Sequence, residues 1–189
     1  VEVSENARVL VLGQAAEKIY RSTGKNSLVK VNLKAKEGTW LEYLPQEAIL
    51  FEGARLQRDT RIKVEGEGQV LAGDILVFGR IGRGERFETG FVYDSWEITR
   101  DGRVVWADAL HLDRDIAAII EDPSCFDGSV AIATAVYVGP RAEKHLETAR
   151  KILRANGIDT LQAASCVNDI LVVRWLGQDA FELRRDFGN

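Results

Sequence analysis

The sequence predicts a mainly β protein, a stacked β-sheet body that carries two α-helices in a C-terminal βαββα-like module. Three observations predict it. Apolar and polar residues alternate with a period of two over residues 29–36. Turn signals recur about every ten residues among β-favouring runs. After Ser124 the pattern changes to a continuous apolar strand followed by an amphipathic helix.

Along the chain, Val29, Val31, Leu33 and Ala35 alternate with Lys30, Asn32, Lys34 and Lys36, which puts the apolar set on one face of a strand. Glu37-Gly38 turns the chain, and residues 39–44 are rich in β-favouring side chains. Pro45 cannot donate to a ladder, so it closes that strand or marks an edge. Residues 48–51 follow and stop at Gly53. Ile62 and Val64, flanked by Arg61, Lys63 and Glu65, form another half-buried strand, ended by residues 66–68. Residues 70–78 and 87–99 are further strands, separated by the turn region 79–84. Asp101-Gly102 signals a hairpin, because Gly supplies the positive φ of a tight turn.

In the last third, residues 130–138 read as a nearly continuous apolar strand. Pro140 opens a helix over residues 141–156, at the position where its missing N–H costs nothing. Leu146, Ala149, Ile152 and Leu153 form the apolar stripe, and Glu147 and Lys151 pair one turn apart. Gly157 fits the C′ position. Two more strands, near 161–167 and 170–176, precede a second helical segment from Gln178 that breaks off at Asn189. The chain thus divides into a β-sheet body, residues 1–124, and a strand–helix–strand–strand–helix module, residues 125–189, packed as one continuous domain. No internal repeat or low-complexity linker separates them.

Composition narrows the function. With 46% hydrophobic and 29% charged residues, the chain has the apolar surface that disordered chains lack. No uncharged run approaches the roughly 20 apolar residues of a helical membrane span. No basic segment precedes an apolar stretch in the manner of a signal peptide. A net charge of −4 gives no electrostatic case for nucleic acid. Cys125 and Cys166 lie far apart, which suits a reduced, cytoplasmic compartment; both read as buried free thiols, without the CxxC pairing of a zinc site. Methionine is absent even at position 1, so the sequence is expected to be a piece of a longer or processed chain.

Catalysis finds little support. His111 and His145 are the only histidines, and no motif sets either beside a nucleophile. His145 reads as a solvated helix residue and His111 as a sheet-face residue. The run from Gly79 to Arg86 matches neither GxGxxG nor a phosphate-binding P-loop, and it joins two strands. It reads as a basic turn, whose guanidinium forks also suit carboxylates on another protein. Residues 41–56 are two strands hinged at Pro45, with Gln46 and Glu47 at the hinge. Two roles stand open for that polar pair: tying off backbone groups freed by the proline, or presenting a carboxylate to a partner or an ion.

The string YLPQEAILFEGARL, residues 43–56, resembles the signature of the UreD (UreH) family of urease accessory proteins. Residues 14–22, Gly79-Arg80 with residues 84–87, residues 100–103 and residues 110–112 agree with it in order and spacing. The resemblance runs over essentially the whole chain, which starts inside the family's N-terminal β region and stops within its last helix.

The resemblance implies a non-enzymatic maturation factor that scaffolds nickel delivery into apo-urease together with UreF and the GTPase UreG. It implies a long stack of β-sheet with two helices, no tightly bound cofactor, transient Ni²⁺, and neither nucleic acid nor membrane as partner. A passage lined by weak oxygen ligands would admit nickel and still release it. Candidate groups for passage or docking are Glu47, Gln46, Glu52, Asp74 and Glu85, with Glu47 best fixed by the motif. Candidates for partner docking are Lys18, Tyr20, Arg21, Arg55, Arg80, Arg83 and Arg86. Two other readings compete: an interaction module without a metal role, and a small β-rich hydrolase, which requires a nucleophile–base pair that the sequence lacks.

Overall fold

The computed structural model describes residues 1–155 and 160–188. It is mainly β, as the sequence predicts. Among the described residues the strands form two mixed sheets, of five and eight strands. The chain winds between them. β1 (Glu2–Val3), β4 (Ser27–Ala35), β7 (Arg55–Val64) and β9 (Phe91–Arg100) lie side by side in the first sheet, all parallel. The second sheet collects what lies between: β2 (Arg8–Leu12), β5 (Trp40–Leu44) and β8 (Gln69–Phe78) in one parallel row, with β3 (Glu17–Ile19) and β6 (Ala48–Leu50) continuing it beside β8. Parallel strands require a crossover. Here each crossover is a trip through the opposite sheet, so Lys34 stands beside Glu2 of the previous circuit and Lys63 of the next.

The turns that carry the chain between sheets stack as the strands do. Gly38 and Gly66 take positive φ at successive turns. The Glu67 N–H donates to Glu37 Oε2 of the preceding turn at 2.9 Å, and the Gly66 N–H donates to Asp101 Oδ1 of the next at 2.8 Å. Asp101-Gly102 makes the expected hairpin, both residues at positive φ, and β10 (Arg103–Leu112) returns antiparallel to β9. In the eight-stranded sheet β11 (Ala131–Val138) runs antiparallel between β8 and β13 (Ile170–Gly177), and β12 (Thr160–Val167) closes that edge.

Two apolar clusters fill the space between the sheets. One gathers Leu33, Ile62 and Ile98 with Leu41, Val70 and Val138. The other gathers Leu56, Val92 and Phe87 with Leu50, Leu76 and Phe78. A third lies on the outer face of the eight-stranded sheet, where α2 (Leu146–Ala155) and α3 (Ala180–Gly188) cover Ile75, Leu171 and Trp175. Being covered on both faces, β8 is buried along nearly its whole length, which explains its almost unbroken apolar run.

Several expectations are corrected. A third helix, α1 (Ile116–Glu121), follows β10, with Ile116 and Ile120 buried in the second apolar cluster. Six residues are too few for the sequence to show a helical period. β9 begins at Phe91; Phe87 is a buried loop residue. Pro140 does not open the helix. It precedes Arg141, whose positive φ starts a 3₁₀ turn, Ala142–His145, and α2 begins only at Leu146. Glu147 pairs with Arg150 at 2.9 Å instead of with Lys151. Neither cysteine is buried: Cys125 is exposed in the turn after α1 and Cys166 is half-buried on the edge strand β12. The expected helix end at Asn156 and Gly157, and the chain end at Asn189, lie outside the described residues.

Candidate functional site

Charged residues separate the two apolar clusters between the sheets. On β7 the inward positions Leu56, Arg58, Thr60, Ile62 and Val64 include a single cation, and on β9 Val92, Asp94, Trp96 and Ile98 include a single anion. The parallel register sets Arg58 against Asp94. Asp74 enters from β8 in the opposite sheet. All three residues are 6% exposed.

Arg58 holds Asp94 with both arms of its fork, Nε to Oδ1 at 2.8 Å and Nη2 to Oδ2 at 2.7 Å. The same Nη2 touches Asp74 Oδ2 across the inter-sheet space. Burial lowers the preference of the guanidinium for its charged form, but Asp74 and Asp94 outweigh that and raise its pKa. Burial pushes the Asp74 carboxyl up to about 7, against the pull of Arg58. The two effects compete for one proton. Arg58 stays charged in any folded state, and Asp94 has the bidentate bond, so Asp74 is the group that takes up the proton and leaves the cluster neutral.

A cavity of about 170 Å³ adjoins the cluster. Asp74, Asp94, Trp96 and Thr134 line its inner part. At the solvent end stands a second guanidinium–carboxylate pair, Arg174 with Asp108, both partly exposed. Tyr43, packed against the first apolar cluster, has its hydroxyl pKa raised by burial and is subject to the charges of Arg58, Asp74 and Glu17.

The Pro45 hinge falls at the same level. Tyr43 pairs with Ala72 and Ala48 with Leu76, so the break between β5 and β6 stands opposite residues 73–75. The neighbouring row breaks there too, between Leu12 of β2 and Glu17 of β3. At Gly13 a Cβ would lie 2.9 Å from the Gln46 backbone nitrogen, so the two breaks close on each other only with glycine there. Asp74 faces inward from this interruption. Gln46 and Glu47 line the other side of the sheet, in a groove of about 500 Å³ with Trp175, Arg184 and Phe187. Glu47 Oε1 lies 3.3 Å from Arg184, which also donates to Gln46 Oε1. Glu47 Oε2 and Trp175 Nε1 are buried without a hydrogen-bond partner among the described residues.

The remaining candidates lie elsewhere. Glu52 accepts from the backbone N–H groups of Glu88 and Thr89, at 2.7 and 3.3 Å. Glu85 is held below the usual carboxylate range, chiefly by its bonds from Arg80, and it also accepts from the Glu52 N–H. Both carboxylates therefore fasten the loop after β8, at the end of the sandwich where β6 and β8 stop. The docking candidates gather at that same end. The Arg80 guanidinium sits 4.1 Å over the Phe51 ring, whose edge meets exposed Tyr20 at 4.8 Å. Arg21 bridges to Ala54, Arg83 is exposed in a 3₁₀ turn, and Arg86 pairs with Glu121 at 2.7 Å. Lys18 is exposed on β3. Arg55 stands apart, bonded to Asn26 and lying over Phe91. Among the described residues no group of three or more His, Cys, Asp or Glu could hold a metal ion, and no helix is long and apolar enough to cross a membrane.

Sequence reading missed Arg58, Asp94, Asp108 and Arg174. The signal for the first two was present. Each occupies an inward phase of a strand whose neighbouring inward positions are mostly apolar, where an isolated charge is costly.

Comparison with known proteins agrees along the whole chain. A family model described as "UreD urease accessory protein" matches residues 1–189. A Magnetococcus marinus protein named urease accessory protein UreD is 41% identical over 186 residues, 97% of this chain and 64% of that one. Proteins of the same name from Azorhizobium caulinodans and Xanthobacter autotrophicus are 36% and 40% identical, with 68% and 62% of their lengths covered. The chain thus spans about two thirds of the length of these relatives.

Proposed function

The chain belongs to the UreD family of urease accessory proteins, and on that premise we propose that it is a non-catalytic scaffold of urease maturation, docking on apo-urease and conducting nickel toward its active site. Its partners are UreF and, through UreF, the GTPase UreG, and it works in the cytoplasm. Nickel is cargo, held in passing.

The observation that carries this reading is the alignment of the charged layer with the sheet interruption. Asp108 and Arg174 stand at a solvent mouth, Asp94 and Asp74 lie inside, and Gln46 and Glu47 line the groove on the outer face at the same level. Every donor in this row is an oxygen. Imidazole and thiolate hold Ni²⁺ far more firmly than carboxylate does. Oxygen donors admit the ion and release it, as a conduit requires.

The test is the nickel content of urease matured with the full-length protein carrying Asp74→Asn or Asp94→Asn. We expect folded accessory protein, assembled urease and deficient nickel. Full nickel loading in both variants removes the conduit.

The gathering of Tyr20, Arg21, Arg80 and Arg86 at one end favours a second reading, a docking module without a metal role. In that case Arg80→Glu abolishes capture of apo-urease or UreF while Asp74→Asn leaves nickel loading intact.

A further inference from the structure

The groove on the outer face of the eight-stranded sheet has walls that are mostly apolar. Leu71, Ile75, Ala135 and Val173 rise from the sheet, Leu153 from α2 and Phe187 from α3. Gly73 makes room for Phe187, since a Cβ there would lie 2.8 Å from its ring. Phe187 in turn meets Trp175 edge-on, with 5.3 Å between ring centres. The space so enclosed, about 500 Å³, falls in the range of small-molecule sites, roughly 300–1,000 Å³.

Polar atoms enter this groove at few points, and most are spoken for. Arg184 bonds Gln46 Oε1 and Glu47 Oε1, and Thr160 Oγ1 donates to Asp186 Oδ2 at 2.8 Å. Glu47 Oε2 and Trp175 Nε1 are left over, buried and without a partner among the described residues. Trp175 is only 6% exposed, so its N–H has no recourse to bulk water. One atom only accepts and the other only donates. They would satisfy each other if they met, but β8 and β11 lie between them. Trp175 pairs with Ala133 and Ala133 with Ile75, while Glu47 precedes Ala48, the partner of Leu76. The two atoms therefore stand at one level of the sheet, on opposite walls. A hydroxyl is the smallest group that accepts from the indole and donates to the carboxylate. A lone water fits badly, because it needs two to four polar partners and the surrounding walls are apolar. Arg184 balances the charge of Glu47, which favours a neutral group over an ammonium.

We propose that the groove is a binding site for a small, neutral, apolar molecule that carries a hydroxyl. The hydroxyl takes the Trp175 N–H and gives its proton to Glu47 Oε2, and the apolar body lies against Ile75, Leu153 and Phe187. Because the walls come from α2, α3 and the Pro45 hinge, the occupant ties both helices to the hinge. Glu47 is shared with the conduit reading, but the ligand is organic and no metal takes part.

The test uses the purified full-length protein, with phenol as probe and toluene, which has a methyl group in place of the hydroxyl, as control. Nitrogen–proton NMR spectra of the tryptophan side chains follow both titrations. Phenol should move the Trp175 indole resonance downfield, the direction of a new hydrogen bond. It should bind at least about tenfold more tightly than toluene, because a ligand without the hydroxyl leaves two buried polar atoms unpaired. Trp175→Phe assigns the resonance and removes the donor, and phenol should then lose most of its advantage over toluene. If Trp175→Phe does not fold, the ring contact with Phe187 assigns the resonance, and the wild-type shift and affinity ratio decide. Toluene bound as tightly as phenol overturns the proposal, and so does phenol bound with the Trp175 resonance unmoved. Undiminished preference for phenol in Trp175→Phe overturns it as well. Binding of neither probe also overturns it, since the groove is then filled by water or by the protein itself.

Discussion

Arg184 reaches back from the last helix to Glu47, a contact of 3.3 Å between residues 137 positions apart in the chain. It fastens α3 over the Pro45 hinge. The sequence left open whether Glu47 ties the junction or presents a charge, and the contact bears on that choice. Arg184 is half exposed, so the pair is worth about 0–1 kcal/mol. The other carboxylate oxygen is buried without a partner among the described residues, a cost that neutralising the side chain relieves. Glu47→Gln should therefore change stability by less than about 1 kcal/mol, a melting shift within about 4 °C for a chain of this size. If the carboxylate serves the conduit, the same variant yields urease that is assembled but poor in nickel. A large fall in melting temperature assigns Glu47 to the junction instead, and full loading with unchanged melting leaves it without either role.

The charged layer behaves differently under substitution. Asp94→Ala leaves a buried guanidinium with one contact in place of three, and breaking a buried pair in this way costs about 3–5 kcal/mol. Denaturant unfolding at neutral pH measures it. Replacing Arg58, Asp74 and Asp94 together by apolar residues of similar size should restore most of that loss, because such clusters rarely exceed good apolar packing in stability. A triple variant as weak as Asp94→Ala would mean that the charges are needed for the fold itself.

Stability should also report the proton on Asp74. Its folded pKa, about 7, lies above the ordinary carboxylate value. The folded state therefore binds the proton more tightly than the unfolded state, and stability falls as pH rises. The contribution is complete below about pH 4 and is lost as pH passes through 7, at no more than about 1.4 kcal/mol per pH unit. Arg58 from β7 and Asp94 from β9 face the group; Arg58 keeps its charge throughout, and the carboxyl raised by burial is that of Asp74, so the slope is assigned to it. Asp74→Asn mimics the protonated form. The stability difference between wild type and Asp74→Asn, from urea unfolding at pH 5, 6 and 7, should shift steadily in favour of the variant. A difference independent of pH would show that Asp74 is ionised throughout.

Local pattern made the strands legible in the sequence, and distance hid their partners. Val29, Val31, Leu33 and Ala35 declare a half-buried strand by alternation alone, and Asp101-Gly102 declares a hairpin because its ends are neighbours. The parallel rows have no such signature. Lys34 meets Glu2 and Lys63 only because intervening residues travel through the other sheet, and no short-range signal records that. The same holds for the site. Asp74 entered only as one of several candidate carboxylates that the family resemblance implied, and Glu47 stood out at the hinge after a proline. Arg58, three residues into a strand that reads as ordinary alternation, has meaning only once β8 and β9 are brought to it.

The stacking of the turns offers a test of the winding itself. Gly66 has φ +54°, and a Cβ there would sit 1.6 Å from Glu37 Oε2, the oxygen that accepts from the Glu67 N–H. Gly66→Ala therefore has two costs. The left-handed backbone costs about 1–2 kcal/mol for a residue with a Cβ. The displaced Glu37 carboxylate forfeits a hydrogen bond worth about 0.5–1.5 kcal/mol. Gly84 separates them, because it has φ +70° and nothing within 4 Å of its would-be Cβ. Gly84→Ala should show the strain alone, so Gly66→Ala should exceed it. A double-mutant cycle completes the argument. With Glu37→Ala already in place there is no carboxylate to displace, and Gly66→Ala should then cost only about as much as Gly84→Ala. If Gly66→Ala costs the same with and without Glu37, the contact between successive turns contributes nothing, and the parallel rows are held by their ladders and core alone.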